Sequence, residues 1–217
     1  MENPKSRWMQ SNKAEQIIKA IESKLYWQLT SSITTGEDLN AMALPYGDTA
    51  LMLLLQEDRA EPYLHLVHHK TFDPDIQDDR GYTALMIAAR KNNVGAMTEL
   101  IKAGANVNLR TRKGQAAIHE VIENKNLEAL ELLIKGKANL EIKNLESETP
   151  LYIAVGLRFV EGVQLLLEKG ADPNVVCRSV SVLSYAKRTR NKRIINLLEH
   201  AVEQRPPAVY LDAPIIP

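Results

Sequence analysis

A few residues have the types and spacing that could do chemistry. His119-Glu120-Val121-Ile122-Glu123 opens like the zinc motif H-E-x-x-H, in which two histidines one helical turn apart bind the metal and the glutamate serves as base. Glu123 stands where the second histidine is needed, so the segment does not predict a metalloprotease. His65 would share a face with His68 or His69 if residues 62–70 are helical, and Asp73 or Asp75 could then complete a metal set. Two ligand types at helical spacing are a weak signal, and the expected reading is an outer-helix face with one histidine packed and the others wet. Cys177 is followed by Arg178, a cation that could lower a thiol pKa, but His200 is the only histidine of the last stretches able to serve as its base. Neither the phosphate-cradling G-x-x-x-x-G-K loop nor the G-x-S-x-G nucleophile elbow occurs. The expectation is a protein that is not an enzyme, with no cofactor, no metal and no small-molecule substrate.

Composition narrows the remaining classes. The 217 residues carry 27 Lys plus Arg and 27 Asp plus Glu, a net charge of zero, which argues against a dedicated nucleic-acid binder. With 45% apolar and 25% charged residues the balance is that of an ordinary folded chain. One cysteine excludes an intramolecular disulfide framework. No stretch approaches the roughly 18 consecutive apolar residues of a membrane span, and MENPKSRWMQSNKAEQ lacks a signal-peptide core. The expected compartment is the cytoplasm or nucleus, the expected state a monomer.

The elements that must position any site come from internal repetition. GDTALMLLL from Gly47, GYTALMIAA from Gly81, GQAAIHEVI from Gly114 and SETPLYIAV from Ser147 align, with a weaker copy, SVSVLSYAK, from Ser179, so that the starts are almost evenly spaced along the chain. A second marker recurs as GEDLN, TFDPD, GANVN, KANLE and GADPN. Between the markers lie two apolar helical patterns of about two turns each, too short to stand alone, so each must bury its stripe against a neighbour. Gly47, Gly81 and Gly114 sit where a tight turn needs positive φ. Thr49, Thr83 and Thr149 are placed to cap the first helix, Pro150 to open one, and Gly104 and Gly170 to end the second.

The pattern G-x-T-[AP]-L-x-x-A-A … L-[LI]-x-x-G-A-[ND]-x-N resembles the ankyrin repeat, over roughly residues 12–205. The resemblance implies an all-α solenoid of about six helix-turn-helix units, each with a hairpin-like finger, an inner helix and an outer helix. The units read as about 12–46, 47–80, 81–113, 114–146, 147–178 and 179–205, the first and last being irregular caps. Residues 1–11 are a flexible N-terminus in this reading. The segment 206–217, with prolines at Pro206, Pro207, Pro214 and Pro217, is a tail that is either flexible or laid along the last repeat. The sequence departs from the family pattern at Ala116, Ser147, Ser179 and Lys137. The family's histidine survives only as His119, with Met52, Met86, Tyr152 and Ser184 in its place elsewhere, so the Thr–His hydrogen-bond network is expected to be largely missing. Leu157 and Phe159 lie in the turn of the fourth repeat as an exposed apolar spot or a local core cap.

What the resemblance implies for function is partner-protein binding through fingertips and inner-helix ends. Carried over by position, these are Tyr46, Asp48, Asp79, Arg80, Tyr82, Arg112, Lys113, Gln115, Glu146 and Glu148 at the tips. Gln56, Glu57, Arg90, Lys91, Glu123, Asn124, Leu157 and Arg188 stand at the helix ends, with Arg178 and Val180 on the last finger. Arg80, Arg90, Lys91, Arg110, Arg112 and Lys113 concentrate positive charge over two repeats, flanked by Tyr46 and Tyr82, and Arg and Tyr dominate interface hot spots. The expected partner is an acidic peptide or protein surface. Lys187, Arg188, Arg190, Lys192 and Arg193 form a second basic run, and a nucleic-acid- or phosphate-binding scaffold is the alternative it supports. An enzyme with an unrecognised site is the other alternative. The family serves in signalling inhibition, adaptors, ubiquitin-ligase receptors and proteins that intracellular bacteria or viruses deliver into host cells; a small chain with an unusual first cap fits the last group.

Overall fold

The computed structural model describes residues 12–25, 32–34, 36–41 and 47–205. Tyr46, the second helix expected in the first repeat for the most part, and both terminal segments lie outside the described residues. The chain divides into two compact units, Met1–Ala117 and Ile118–Pro217.

In the first unit, α1 (Asn12–Glu22) and the short α2 (Gly36–Leu39) precede α3 (Ala50–Gln56), a 3₁₀ helix (Glu61–His68), α4 (Ala84–Arg90) and α5 (Val94–Lys102). α6 (Ala117–Glu123) begins at the divide. The second unit holds α7 (Leu127–Lys135), α8 (Pro150–Gly156), α9 (Val160–Glu168), the strand pair β1 (Val176–Cys177) and β2 (Val180–Ser181), α10 (Val182–Thr189) and α11 (Lys192–Gln204). Within the first unit α3 packs on α4, α4 on α5, and α5 on the 3₁₀ helix. Within the second, α8 packs on both α9 and α10, and α9 and α10 on α11.

The inner helices are apolar on nearly every side because neighbours flank them. Ala84 through Ala89 are all buried in α4, as are Ala50, Leu51, Met52, Leu54 and Leu55 in α3. The outer helices are amphipathic: α5 buries Ala96, Met97 and Leu100, α9 buries Gly162, Val163 and Leu166. Each fully buried Leu or Met contributes about 1.5–3 kcal/mol relative to exposure, which compensates for helices of two turns that could not hold themselves. In α1, Ile17, Ile18 and Ile21 face inward while Lys13, Glu15 and Lys19 face water, and Lys13 reaches Asp38 of α2 at 2.7 Å.

Capping survives where the histidines do not. Thr49, Thr83 and Thr149 each accept from the backbone N–H three residues on, and Pro150 opens α8. At Met52 the replaced histidine's role is partly kept, since its sulfur accepts from the Thr49 N–H at 3.4 Å. The segment expected as a helix over 62–70 is a 3₁₀ helix instead. Its side chains eclipse every third residue, so Leu64 and Val67 are buried together while His65 and His68 share the wet face. His69 falls beyond its end in an extended conformation.

Left-handed residues close the turns. Gly47, Gly81 and Gly114 have φ between 70° and 84°, and Ser147, Ser179 and Lys137 adopt 63–65° despite their side chains. Gly81 and Gly104 differ in what surrounds them. A Cβ on Gly81 would sit 2.9 Å from Thr111 Cα, whereas one on Gly104 would meet nothing within 4 Å. Gly104→Ala is therefore expected to cost about 1–2 kcal/mol in urea denaturation, the backbone strain alone, and Gly81→Ala distinctly more. Equal losses would contradict the close approach.

Candidate functional site

The fingers are organised by one position that recurs from repeat to repeat: Asp78, Thr111, Asn144 and Cys177. All four are buried. Asp78 Oδ1 accepts from the N–H groups of Arg80 and Tyr82 at 2.9 and 2.7 Å. Asn144 Oδ1 does the same for Glu146 and Glu148, both at 2.9 Å. Thr111 Oγ1 accepts from Gln115 N–H at 3.1 Å. The main chain of each closes on the residue four positions on, Asp78 with Tyr82, Thr111 with Gln115 and Asn144 with Glu148. At Cys177 the finger lengthens into the antiparallel pair β1–β2, registered Val176 to Ser181 and Cys177 to Val180. Adjacent fingers are joined by Arg112 N–H to Arg80 C=O at 2.8 Å and by Gln77 Nε2 to Arg110 C=O at 3.0 Å.

This frame fixes the basic cluster of the first unit. Arg80 lies on Asp78 (2.8 Å) and on Asp48 (3.3 Å). Asp78's side chain is fully shielded, so Arg80 is its neutralising partner and its charge is largely spent within the fold. Tyr82 meets two cations: the Arg90 guanidinium stands 4.8 Å from its ring centroid and that of Arg80 5.5 Å, within cation–π range. Lys91 is held by Asp58 (3.0 Å) and the Gln56 carbonyl (2.9 Å). Arg110 Nε donates to the Gly114 carbonyl at 3.4 Å. Arg90, Arg112 and Lys113 keep exposed side chains and Asp79 is half-buried. Gln115 is half-buried, its Oε1 shielded without a hydrogen-bond partner.

Two expected contact residues are corrected by burial. Asp48 is 7% exposed and accepts from Gln56 and Arg80, so it supports the surface from beneath rather than facing a partner. Phe159 is 5% exposed. Its ring lies directly over the Cα of Gly162 in the first turn of α9, a position open because glycine has no Cβ. Of the two readings for that turn, the core cap holds for Phe159, while Leu157 is half-buried. Tyr46 is outside the described residues.

In the second unit Glu123 and Asn124 are exposed at the end of α6, and partial burial followed by the Glu148 charge pushes the Glu123 carboxyl up. Glu146 pairs with Arg178 at 2.6 Å. Sequence reasoning missed Tyr152 and Tyr185, which stack at 4.6 Å with planes 10° apart. The available signal was their place one repeat apart on successive inner helices.

The groups weighed for chemistry are placed structurally. His119 is fully buried with Nε2 3.2 Å from the Ile142 carbonyl. His68 Nε2 meets Glu99 at 2.7 Å, and His69 Nδ1 meets Thr71 Oγ1 at 2.9 Å. Among the described residues no three His, Cys, Asp or Glu side chains gather as a metal site requires. Cys177 is 1% exposed with Sγ against the Glu146 carbonyl, and burial, then the Glu148 charge, raises its thiol pKa despite Arg178. Burial thus outweighs the neighbouring cation of Arg178.

A family model for ankyrin repeats, of three copies, matches residues 17–111 and 91–177. The chain belongs to the ankyrin-repeat family. The caps, left-handed turns and fingers above are thus family architecture, and the family is one of protein–protein interaction modules that are typically not enzymes. A comparison with curated proteins finds no match. Among the described residues no helix is long and apolar enough to cross a membrane.

Asp48 gives the cluster a pH signature. Burial, the largest influence, raises its pKa above 3.8, against the opposing pull of Arg80. Between 3.8 and the raised value the native state keeps a proton that the unfolded chain has lost, so this group's contribution to stability falls as pH rises through that window. Asp48→Asn removes the effect. Its stability relative to wild type is expected to improve with rising pH across the window and then level off, read by urea denaturation at a series of pH values. A pH-independent difference, or the opposite slope, would contradict the assignment.

Proposed function

We propose that this ankyrin-repeat protein recognises an acidic peptide or acidic surface of a partner protein through the basic, aromatic face of its first unit. The observation that supports this reading is the Arg90–Tyr82–Arg80 stack beside Arg112 and Lys113. Arg80 is neutralised by Asp78 and Asp48 and acts as a spacer that holds the ring. Arg90 lies on the other cation contact of Tyr82, restrained before a partner arrives. Restraint of a long side chain in advance lowers the ordering cost of binding, about 0.5–1.5 kcal/mol per immobilised side chain. Arg112 and Lys113, on the neighbouring finger, add exposed charge whose attraction salt screens. The contact set is Arg90, Arg112, Lys113 and Tyr82, with Asp79, Lys91 and Gln115 at its margin. Glu123, Asn124, Glu146, Glu148 and Leu157 belong to a separate, more acidic set in the second unit. The six-repeat division of 12–205, the monomeric state, residence in cytoplasm or nucleus and action as an adaptor or delivered effector go with this reading.

The basic run of the last repeat supports the second reading, a phosphate-binding scaffold. Lys187 is engaged by Glu199 at 3.0 Å, while Arg188, Arg190, Lys192 and Arg193 are exposed around the turn into α11.

Affinity capture from lysate with mass spectrometry separates the two. The Arg90→Glu/Arg112→Glu variant is expected to lose the partner that wild type retains at low salt, with at least a tenfold drop in recovery and an unchanged melting temperature. Equal recovery by both would refute the first-unit surface. Loss only on reversing Arg190 and Arg193 would favour the second reading.

A further inference from the structure

A concavity not used above lies in the second unit between α9 and α11, a groove of about 410 Å³. Leu167, Ala171, Pro173, Leu197 and Ala201 form the apolar half of its lining, and Gln164, Glu168, His200, Gln204 and Arg205 the polar half. Glu168 on its rim also borders a second groove of about 510 Å³ toward α7, lined by Ile134 and Leu165. Helix α11 ends at the groove's edge, and Arg205 itself lines it. The exit is fixed at both ends of that residue. The Arg205 guanidinium donates to the Gly170 carbonyl at 3.1 Å, and its own carbonyl accepts from Asn174 Nδ2 at 2.7 Å. Arg205 has left the helix, with φ −136° and ψ 73°.

The next residues are Pro206 and Pro207, followed by Ala208, Val209, Tyr210 and Leu211 and, later, Ile215 and Ile216. Two consecutive prolines forbid continuation of α11. We propose that this segment, 206–217, is the occupant of the α9–α11 groove, laid back along α11 as an extended strap. The lengths agree. Arg205 to Leu197 spans about eight helical residues, about 12 Å. About six residues in an extended, proline-favoured form reach about 19 Å, enough to bring Ala208 to Leu211 over Ala201 and Leu197. The chemistry agrees as well: Ala208 to Leu211 are without charge and match the apolar half of the lining, while Asp212 follows them. Tethering supplies about millimolar effective concentration without any further contact.

The test uses the full chain with Leu211→Cys carrying a nitroxide; Cys177, 1% exposed, stays unlabelled. The amide signals of Leu167, Ala171, Leu197 and Ala201 are expected to lose most of their intensity relative to Ala154 of α8. Ile215→Asp together with Val209→Asp should restore them several-fold with helicity unchanged. Uniform signals, or broadening centred elsewhere, would overturn the proposal. So would broadening at the groove in a mixture of spin-labelled chain and isotope-labelled wild type, which would place a second copy's segment there.

Discussion

Three of the described fingers hang on one buried polar atom each. Asp78 Oδ1 and Asn144 Oδ1 each gather two backbone N–H groups that would otherwise be orphaned in a tight turn, and Thr111 Oγ1 gathers one. A buried donor left unmatched costs about 1–3 kcal/mol, so at these three turns the acceptor offsets a cost that the Cys177 finger avoids by pairing β1 with β2. Once the turn is closed, Thr83 and Thr149, two residues past the left-handed position, cap the inner helix, and the apolar stripe of that helix does the rest.

The same atom couples fold to surface at the second finger. Asp78 is a carboxylate, whereas its counterparts are a hydroxyl, an amide and a thiol. A shielded carboxylate needs a cation, and Arg80 supplies it from two residues away. That demand places Arg80 against Tyr82, and Tyr82 in turn receives Arg90. A requirement of the core thus sets the geometry of exposed groups. It also subtracts from their charge, for Arg80 and Lys91 are matched by Asp48, Asp78 and Asp58.

Most of the architecture was legible in the sequence because solenoid repeats write their constraints periodically. Gly81, Thr83, Pro150 and Gly104 each announce a backbone need through residue type. What the sequence hid was burial of individual tip residues. Asp48 and Phe159 look exposed by register, but one is drawn under Arg80 and the other fills the space left by Gly162. The 3₁₀ form of residues 61–68 was equally hidden, since Leu64 and Val67 fit either period. The Tyr152–Tyr185 stack was readable in principle, though only by comparing non-identical positions of successive repeats.

Amide hydrogen exchange on wild type and Asp78→Ala reads the link from buried acceptor to exposed surface. Protection at the amides of Arg80, Tyr82 and Arg112 is expected to fall by at least tenfold while the amides of α8 and α9 keep theirs. Unchanged protection at those three amides would show that the finger and its Arg–Tyr–Arg stack do not depend on Asp78.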